Sequence, residues 1–369
     1  MSDLATILKQ SWQLIEDRQD RLAAHFYARL FLTDPQLRDL FPVQMDTQRS
    51  RLLRAIVATM QNFDDHERLD GYLRALGRDH RKFHVKAQHY AQVKAALLDA
   101  LRTYAGERWS SVYEQAWNDV YDLIAEKMRA GAAGDDGPPF WQAEVVTHER
   151  RGTDVAVITC RPSQPMRYRA GQYVSVECTY QPRLWRTYSM ANAPRPDGTL
   201  EFHVRAAGGG WVSSALVRRV KAGDMLRLAA PMGSMGLDPV SRRDLVFVTG
   251  GTGLAPVKAL LDELMHYNRT RWIHLFRGER GRDDFYDSEH LDRLAAVYPW
   301  LTVVRAASAD PDYPGERGAI ADVVSRYGPW RNHDFYVAGS EAMVAETLLR
   351  LTDMQVPSTR IQYDAFTGG

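Results

Sequence analysis

Cysteine is scarce in this chain, since only Cys160 and Cys178 occur among 369 residues. Two thiols outside any paired-cysteine motif exclude a disulfide framework and a thiolate metal site, so we expect both to be buried and reduced. No apolar run reaches the roughly 20 residues that span a bilayer, and no basic-then-apolar leader begins the chain. We therefore expect a cytoplasmic protein without integral membrane association.

The chain also lacks an excess of either charge. Its 47 Lys and Arg residues against 46 Asp and Glu residues leave a formal net charge of +1. This balance provides no field for nucleic acid or an acidic surface, so the expected partners are small molecules. A monomer is the expected state. Internal repeats and low-complexity stretches are missing as well, and the length predicts two or three domains of about 150 residues.

The first third of the sequence predicts an all-α domain. Apolar residues recur at helical spacing from Leu4 to about Met128, with breaks expected at Asp34-Pro35 and Gly106. Residues 130–139 abandon that spacing and are rich in glycine, proline and aspartate, which predicts a linker.

The remaining two thirds predict two domains that contain β-sheets. Short alternating segments rich in β-branched residues between Ala143 and Leu228 predict a small antiparallel barrel. From Asp244 onward, apolar strands of about five residues alternate with helical stretches, which predicts a parallel doubly wound sheet. The expected organisation is an all-α domain over 1–132, a linker over 133–139, a barrel over 140–238 and an α/β domain over 239–369.

The run Arg186-Thr187-Tyr188-Ser189 is the first candidate binding element. A flavin needs a cation for its pyrophosphate, an aromatic wall beside its ring and a donor for the ring edge, and Arg186, Tyr188 and Ser189 offer these on one strand. An ordinary amphipathic strand is the alternative. The surroundings favour the flavin, because 170–173 ends a turn before a strand and 209–214 offers N–H groups and hydroxyls at a helix start, which suits phosphate.

Residues 250–256 form a glycine-rich turn directly after a predicted strand. Its backbone can approach a pyrophosphate, while the dipole of a helix expected to begin at Pro256 favours the anion. The motif alone is weak evidence, but its position after the flavin strand favours a dinucleotide site. Near the C-terminus, 360–366 alternates as a strand, and Phe366 either stacks on a flavin ring or is a core or edge aromatic.

Over residues 140–366 these motifs resemble the ferredoxin-NADP reductase superfamily. The resemblance implies a barrel that binds FAD and an α/β domain that binds NADH or NADPH. The dinucleotide contacts that it implies are Gly250, Gly251, Thr252, Gly253, Leu254, Ala255 and Pro256. The implied FAD contacts are Tyr173, Arg186, Thr187, Tyr188, Ser189, His203, Gly210, Ser213 and Phe366.

Two segments depart from that family's usual pattern. Ala338-Gly339-Ser340 stands where many relatives carry Cys-Gly-Pro, so the sulfur expected near the nicotinamide is missing. Residues 188–194 look more like the reductases of multicomponent oxygenases than like globin-fused relatives. The choice between the two coenzymes stays open, because Arg277, Arg280 and Arg282 could meet a 2′-phosphate or belong to a solvated loop whose acidic residues dilute their field.

His80 is the candidate metal ligand of the helical third. Its spacing from Leu73, Leu76 and Phe83 places it on an apolar helix face, where an imidazole is either a core or surface residue or an axial haem ligand. The segment from residue 1 to about 130 resembles a single-domain bacterial globin. The motifs that carry this resemblance are, in order, Leu22-Ala23-Ala24-His25-Phe26-Tyr27, Leu30-Phe31, Pro35, Leu40-Phe41, Gln48, His80-Arg81-Lys82-Phe83 and Tyr90.

Joined to the reductase module, the full chain resembles the flavohaemoglobins. The resemblance implies that His80 is the proximal ligand of haem b, Phe41 packs flat on the haem and Leu52 is a distal apolar gate. It also implies that Tyr27 and Gln48 are the distal polar pair, whose phenol and amide can donate hydrogen bonds to bound O₂. A core tyrosine and a solvent-facing glutamine are the alternatives.

The proximal side departs from the family. In flavohaemoglobins a tyrosine and a glutamate form a hydrogen-bonded set with the proximal histidine, and Tyr90 matches the tyrosine. The place of the glutamate falls near 132–134, where none occurs, which leaves Glu126, Asp135 or a broken set. Without the carboxylate, the imidazole should push less electron density to the iron.

The resemblance implies a nitric oxide dioxygenase. NAD(P)H would reduce FAD, FAD would reduce the haem iron, and O₂ at the haem would convert NO to nitrate. A flavin is needed because a hydride carries two electrons and iron accepts one. The competing interpretations are an oxygen-storing or redox-sensing globin and an NAD(P)H-dependent flavin or haem reductase without NO turnover.

Overall fold

The computed structural model describes residues 3–43 and 45–366, and its contacts divide the chain into two compact units, Met1–Phe140 and Trp141–Gly369. The part of the first unit that is described is helical. None of the helices in the described ranges is long and apolar enough to cross a membrane. The α-helices of this unit are α1 Asp3–Gln13, α2 Gln19–Thr33, α3 Asp46–Gln61, α4 His66–His80, α5 Ala87–Ala105 and α6 Ser111–Ala133.

The expected helix breaks lie where backbone chemistry ends each helix. Pro35 follows α2 and has no N–H to continue it, while Asp34 caps the next turn by accepting a hydrogen bond from the Gln36 N–H at 3.1 Å. Gly106 follows α5 in a left-handed conformation, with φ at +60°. The change of composition at residue 130 does not end the helix, because α6 continues through Ala133, the first residue of the linker predicted over 133–139.

Close packing against α4 explains why α6 continues to Ala133. A Cβ on Gly131 would collide with the backbone of Arg74 in α4, and a Cβ on Gly77 would collide with the backbone of Met128 in α6. These glycines therefore let the two helices cross with their backbones in contact. The crossing fixes the last turn of α4, which ends at His80.

An antiparallel sheet of six strands opens the second unit, in the order β4-β3-β6-β1-β2-β5. A bridge between Met190 and Phe202 brings the β4 edge against β5, so the sheet nearly closes into the expected barrel. Cys160 and Cys178 are free and buried inside it. The elements are β1 Trp141–Arg151, β2 Val155–Pro162, β3 Tyr173–Cys178, β4 Arg186–Ser189, β5 Leu200–Arg205, α7 Trp211–Arg218 and β6 Met225–Leu228.

A parallel sheet with the order β10-β9-β8-β7-β11-β12 completes the unit and confirms the doubly wound prediction. The strand order reverses at β7, which is where such sheets bind ligands. The helix after the glycine turn begins at Leu254 and not at Pro256, because Gly251–Gly253 already form a 3-10 turn. The elements are β7 Asp244–Gly250, α8 Leu254–Tyr267, β8 Ile273–Glu279, α9 Ser288–Val297, β9 Leu301–Ala307, β10 Glu316–Arg317, α10 Ile320–Tyr327, β11 His333–Ser340, α11 Glu341–Asp353 and β12 Ile361–Phe366.

Helix α8 packs against both the barrel and the parallel sheet. Its buried residues Leu254 and Leu261 share one apolar cluster with Ala170 and Ala193 of the barrel side. The backbone N–H of Ala193 also donates to Asp262 of α8 at 3.1 Å. The helix that opens at the glycine turn is therefore also the element that joins the barrel to the sheet.

Candidate functional site

Helices α2 and α3 bring Tyr27 and Gln48 together. The Tyr27 hydroxyl donates to the backbone carbonyl of Gln48 at 3.3 Å, and the Tyr27 ring lies 5.5 Å from that of Phe41 and 5.9 Å from that of Phe31. Burial raises the pKa of Tyr27 to about 12, although hydrogen bonding to Gln48 opposes part of that rise. The phenol therefore stays protonated near neutral pH and is available as a hydrogen-bond donor.

Phe41 and Leu52 are both half-buried and pack against the apolar core of the helical unit. The side of the unit that holds Tyr27 is thus lined by aromatic and aliphatic groups. A porphyrin requires apolar walls of this kind.

His80 ends α4 with one ring nitrogen engaged and the other available. Its Nδ1 donates to the Leu76 carbonyl at 2.8 Å, which places the ring proton on Nδ1 and leaves Nε2 as the lone-pair nitrogen. Among the described residues, Nε2 has no hydrogen-bond partner. Burial lowers the pKa of His80, so the imidazole is neutral. A fixed, neutral imidazole with a free nitrogen is the donor that haem iron requires.

The backbone, not a carboxylate, supports this imidazole. Asp135 pairs with Arg81 at 3.0 Å, and the Glu126 side chain is 67% exposed beside Lys127. Tyr90 is half-buried, and its carbonyl accepts a hydrogen bond from the Tyr121 hydroxyl at 2.8 Å. Neither candidate carboxylate thus takes the place of the family's glutamate beside His80.

The flavin motif lies on β4, which pairs with β3 so that Tyr173 lies opposite Ser189. Arg186 and Tyr188 are half-buried on one face of β4 and are separated by the exposed Thr187. Burial raises the pKa of Tyr188 well above its usual range, so its phenol is neutral. Arg186 and Tyr188 are therefore placed together for a ligand, while Ser189 at the strand end points to the opposite face.

Ser189 contacts Asp364, a residue that the sequence patterns did not single out. Its hydroxyl donates to Oδ2 of Asp364 at 3.4 Å, and burial raises the pKa of Asp364 even though this hydrogen bond opposes the rise. Asp364 lies two residues before Phe366, so the two share a face of β12. That two-residue spacing in the predicted strand over 360–366 was the signal available in the sequence.

The loop before α7, where an anion site was predicted, lines a cavity. The cavity, of about 360 Å³, lies at the N-terminus of this helix, where backbone N–H groups favour a phosphate. Gly210 lines the cavity, whereas Ser213 is buried and its hydroxyl bonds within the loop to Ala207 N and Gly210 O. The lining residues are Gln181, Gly209, Gly210, Trp211, Ser214, Ala215, Arg218 and Arg219.

His203 is the candidate least suited to touch a cofactor. It is 3% exposed, and its two ring nitrogens bond to the Tyr286 hydroxyl at 3.1 Å and to the Glu201 carboxylate at 3.0 Å. No polar atom of the ring is left for a flavin. Its place is in the contact between the barrel and the α/β domain.

The glycine-rich turn lies at the carboxyl end of β7. Gly250, Gly251 and Thr252 are half-buried, whereas the next four residues, 253–256, are buried in the fold. A Cβ on Gly253 would collide with the backbone carbonyl of Ala338, so only glycine fits there. The first three residues are therefore those accessible to a dinucleotide, and 253–256 shape the turn.

The three arginines after this site differ in their surroundings. Arg277 is 0% exposed, and its Nε and Nη1 atoms lack partners within the described residues. Arg282 pairs with Asp310 at 2.8 Å. Arg280 and Arg282 are both exposed, so both are accessible for a 2′-phosphate, with Arg282 already held by Asp310.

Three protein families match consecutive parts of the chain. The Globin family matches residues 24–128, the Oxidoreductase FAD-binding domain matches 142–236 and the Oxidoreductase NAD-binding domain matches 247–348. The chain is 28% identical over 403 residues to a flavohemoprotein of Bordetella pertussis, covering 100% of this chain and 98% of that relative.

Of two further relatives, one matches the whole chain and the other matches only its reductase part. The fold is similar along its length to that of a flavohemoglobin from Malassezia yamatoensis with bound FAD and heme, with a TM-score of 0.82, 17% identity and coverage of 100% and 99%. The naphthalene 1,2-dioxygenase system reductase component of Pseudomonas putida is 34% identical over 266 residues, covering 68% of this chain and 79% of that protein. The order of the domains and the full-length matches show that the chain belongs to the flavohaemoglobin family of NAD(P)H-dependent oxidoreductases, with haem, FAD and NAD(P) as its cofactors.

Proposed function

We propose that this protein is a nitric oxide dioxygenase. In balanced form, two NO, two O₂ and one NAD(P)H give two nitrate ions, one NAD(P)⁺ and one proton. The observation that carries the proposal is the buried, protonated phenol of Tyr27 beside Gln48 in an aromatic cluster of the globin unit. Simple oxygen storage would not require the attached reductase module.

The residues present fit the cofactors that this reaction needs. His80 would hold the haem through Nε2, and Arg186 and Tyr188 would hold FAD on the barrel. Together with the nicotinamide, these groups supply hydride acceptance, single-electron transfer and the binding of O₂.

Tyr27 has the chemistry of a fixed donor. Its hydroxyl holds a proton at Oη throughout the neutral range, because burial raises the pKa of Tyr27 to about 12. A donor held in an apolar cluster stabilises negative charge that develops on a neighbouring oxygen more strongly than water does. The same burial keeps the phenol from giving up that proton.

The end of the flavin strand has the chemistry of a proton path. The Ser189 hydroxyl donates to Oδ2 of Asp364 at 3.4 Å, and burial raises the pKa of Asp364. A raised pKa makes Asp364 easier to protonate than an exposed aspartate, so this pair is suited to take part in moving a proton at the strand end. Phe366 shares the β12 face with Asp364 and can shield this point from water.

Measuring NO consumption tests the proposal. Holoprotein supplied with NADH and O₂ should remove NO at an electrode, and Tyr27→Phe should slow this by about tenfold or more because one donor to the developing charge is lost. Reduction of ferricyanide by the same variant should stay at the wild-type rate, since that reaction needs only the reductase module. Tyr104→Phe, at a half-buried tyrosine elsewhere in the helical unit, is the control for loss of a phenol hydroxyl.

The competing functions predict other outcomes. If the wild-type protein reduces ferricyanide well but does not remove NO, it is a reductase or a sensor and the proposal is wrong. If Tyr27→Phe and Tyr104→Phe consume NO equally fast, Tyr27 is a core tyrosine without a role in the chemistry.

A further inference from the structure

Strand β5 presents three polar residues to the α/β domain. Glu201, His203 and Arg205 alternate along the strand and therefore share a face. Glu201 contacts Lys258 of α8 at 2.9 Å, His203 contacts the Tyr286 hydroxyl at 3.1 Å, and Arg205 contacts Glu279 of β8 at 3.7 Å. The barrel thus meets three separate parts of the α/β domain through one strand.

Lys258 is the central cation of this contact. Its Nζ lies 2.9 Å from Oε1 of Glu201 and 2.9 Å from Oδ2 of Asp287, so a single ammonium bridges a barrel strand and the segment before α9. The side chains of Lys258, Glu201 and Asp287 are only 12%, 11% and 8% exposed. Protein therefore encloses this bridge, and water screens it less than it screens an exposed ion pair.

The two carboxylates depend on this cation. Burial would raise the pKa of Glu201, but the hydrogen bond from His203 and the charge of Lys258 outweigh it and lower that pKa overall. Burial likewise opposes ionisation of Asp287, but the charge and hydrogen bond of Lys258 together with the nearby His203 and His290 outweigh it and lower the pKa of Asp287. Without the ammonium, Glu201 would keep, among the described residues, only Arg195, 3.2 Å from its Oε2, and His203, and nothing would tie α8 to Glu201 and Asp287 at this point.

The position of Lys258 in α8 links this bridge to the dinucleotide turn. The helix begins at Leu254, so Lys258 lies one turn further, about 6 Å along the axis at the usual helical rise. The residues accessible to a dinucleotide, 250–252, directly precede the helix. An anchor in its second turn therefore sets where the turn stands relative to the flavin strand.

We propose that Lys258 is a positioning residue for hydride transfer, which fixes the dinucleotide turn at the correct distance from the flavin by tying α8 to Glu201 of the barrel. The inference rests on the reductase chemistry of the family and not on NO turnover. A buried ion pair of this kind contributes little net stability but specifies one geometry, and hydride transfer is sensitive to displacements of about 1 Å.

Anaerobic stopped-flow reduction of the bound flavin by NADH tests this role in the full-length holoprotein. Lys258→Met keeps the length of the side chain but removes its charge, and Lys258→Arg keeps the charge. Lys221→Met, at an exposed lysine of the same unit, is the matched control. The readouts are the rate constant at saturating NADH, the dissociation constant for NADH, the FAD content and the long-wavelength charge-transfer absorbance of the nicotinamide–flavin pair.

For Lys258→Met we expect the saturating rate constant to fall about tenfold and the charge-transfer absorbance to weaken, because the reacting groups are misplaced. The dissociation constant for NADH and the FAD content should stay close to wild type. Lys258→Arg should recover most of the rate, and Lys221→Met should match wild type throughout.

Wild-type rates in Lys258→Met would overturn the inference. So would equal damage in Lys258→Met and Lys258→Arg together with loss of FAD, because that pattern marks a residue needed only for folding. If Lys258→Met cannot be purified, Glu201→Gln breaks the same bridge from the barrel side, and an unchanged rate constant and absorbance in that variant would equally refute the proposal. NO consumption is not measured, so failure here leaves the proposed dioxygenase function untouched.

Discussion

The helical unit, Met1–Phe140, and the reductase unit, Trp141–Gly369, differ in the kind of group that they offer to a ligand. In the helical unit the candidate groups are side chains on helices, since Tyr27 and His80 project from α2 and α4 while an apolar core surrounds them. In the reductase unit the accessible groups at the dinucleotide site belong to a backbone turn, and the charged side chains nearby are buried in the contact between barrel and sheet. Substitution should therefore separate chemistry from folding in the first unit more cleanly than in the second.

The difference follows from where each unit keeps its polar groups. In the helical unit the backbone N–H and C=O groups bond to one another within the helices, so side chains are the groups available to bind a ligand. In the parallel sheet the strand ends open at the switch point, where backbone N–H groups are accessible to a ligand, while Lys258 and Arg205 form ion pairs between the barrel and the α/β domain. Three predictions test this contrast.

The largest effect is expected for His80→Ala. If His80 is the axial ligand as proposed, removing its imidazole should lower the haem content measured by the Soret band by about tenfold or more. FAD content and ferricyanide reduction should stay unchanged, because those groups lie in the other unit. His66→Ala, at the first residue of the same helix, should keep its haem. A full Soret band in His80→Ala would remove this residue from the site.

A smaller effect is expected at the crossing of α4 and α6. Gly77→Ala places a methyl group against the Met128 backbone, so it should destabilise the helical unit by about 1–3 kcal/mol. Gly71→Ala is the matched control, because it lies in the same helix with open space around it and should stabilise by up to about 1 kcal/mol. Urea unfolding followed at the Soret band measures both. Equal stability of the two variants would contradict the close crossing.

The smallest effect concerns pH and the reductase unit. Burial raises the pKa of Asp364, so its contribution to stability is present below the unfolded pKa and is lost as pH rises through the folded pKa. Asp364→Asn stays neutral, and its stability relative to wild type should therefore rise between pH 4 and pH 7, as measured by the temperature of FAD release. The rise should be small.

Asp197→Asn provides a control of opposite sign in the same unit. Hydrogen bonds from Thr199 lower the pKa of Asp197, so this carboxylate stabilises the fold above its unfolded pKa. The variant should therefore lose stability relative to wild type over the same pH range. A common trend in both variants would show that the local environments do not govern the effect.

Sequence patterns anticipated much of the molecule and failed at identifiable points. The order of helical, barrel and α/β parts followed from periodicity, and the two helix breaks followed from Pro35 and Gly106. Residues 130–133 lost the helical spacing and predicted irregular structure, yet they belong to α6, where Gly131 permits a close helix crossing. The start of α8 was placed two residues late because Pro256 was taken as the first helical residue.

For the candidate site, too, the sequence predicted some features and missed others. Tyr27 with Gln48, and Arg186 with Tyr188, lie near each other as their motifs predicted, although their roles remain predictions. His203 was selected by resemblance alone, and its two engaged nitrogens could not be anticipated because Tyr286 is 83 residues away in sequence. Lys258 was overlooked because a lone lysine on a helix is ordinarily a solvated residue.

The amino-acid sequence by itself determined which groups are available: an imidazole at position 80, a phenol at 27, a flavin-type strand and a glycine turn, each in a local pattern that dictates its helix, strand or loop. Tertiary structure alone decided which partners those groups have. The Ser189–Asp364 contact joins residues 175 positions apart, and the Glu201–Lys258 contact joins residues 57 apart. Local propensity acts over a few neighbours, whereas such contacts depend on how whole elements pack, and packing is a property of the folded chain.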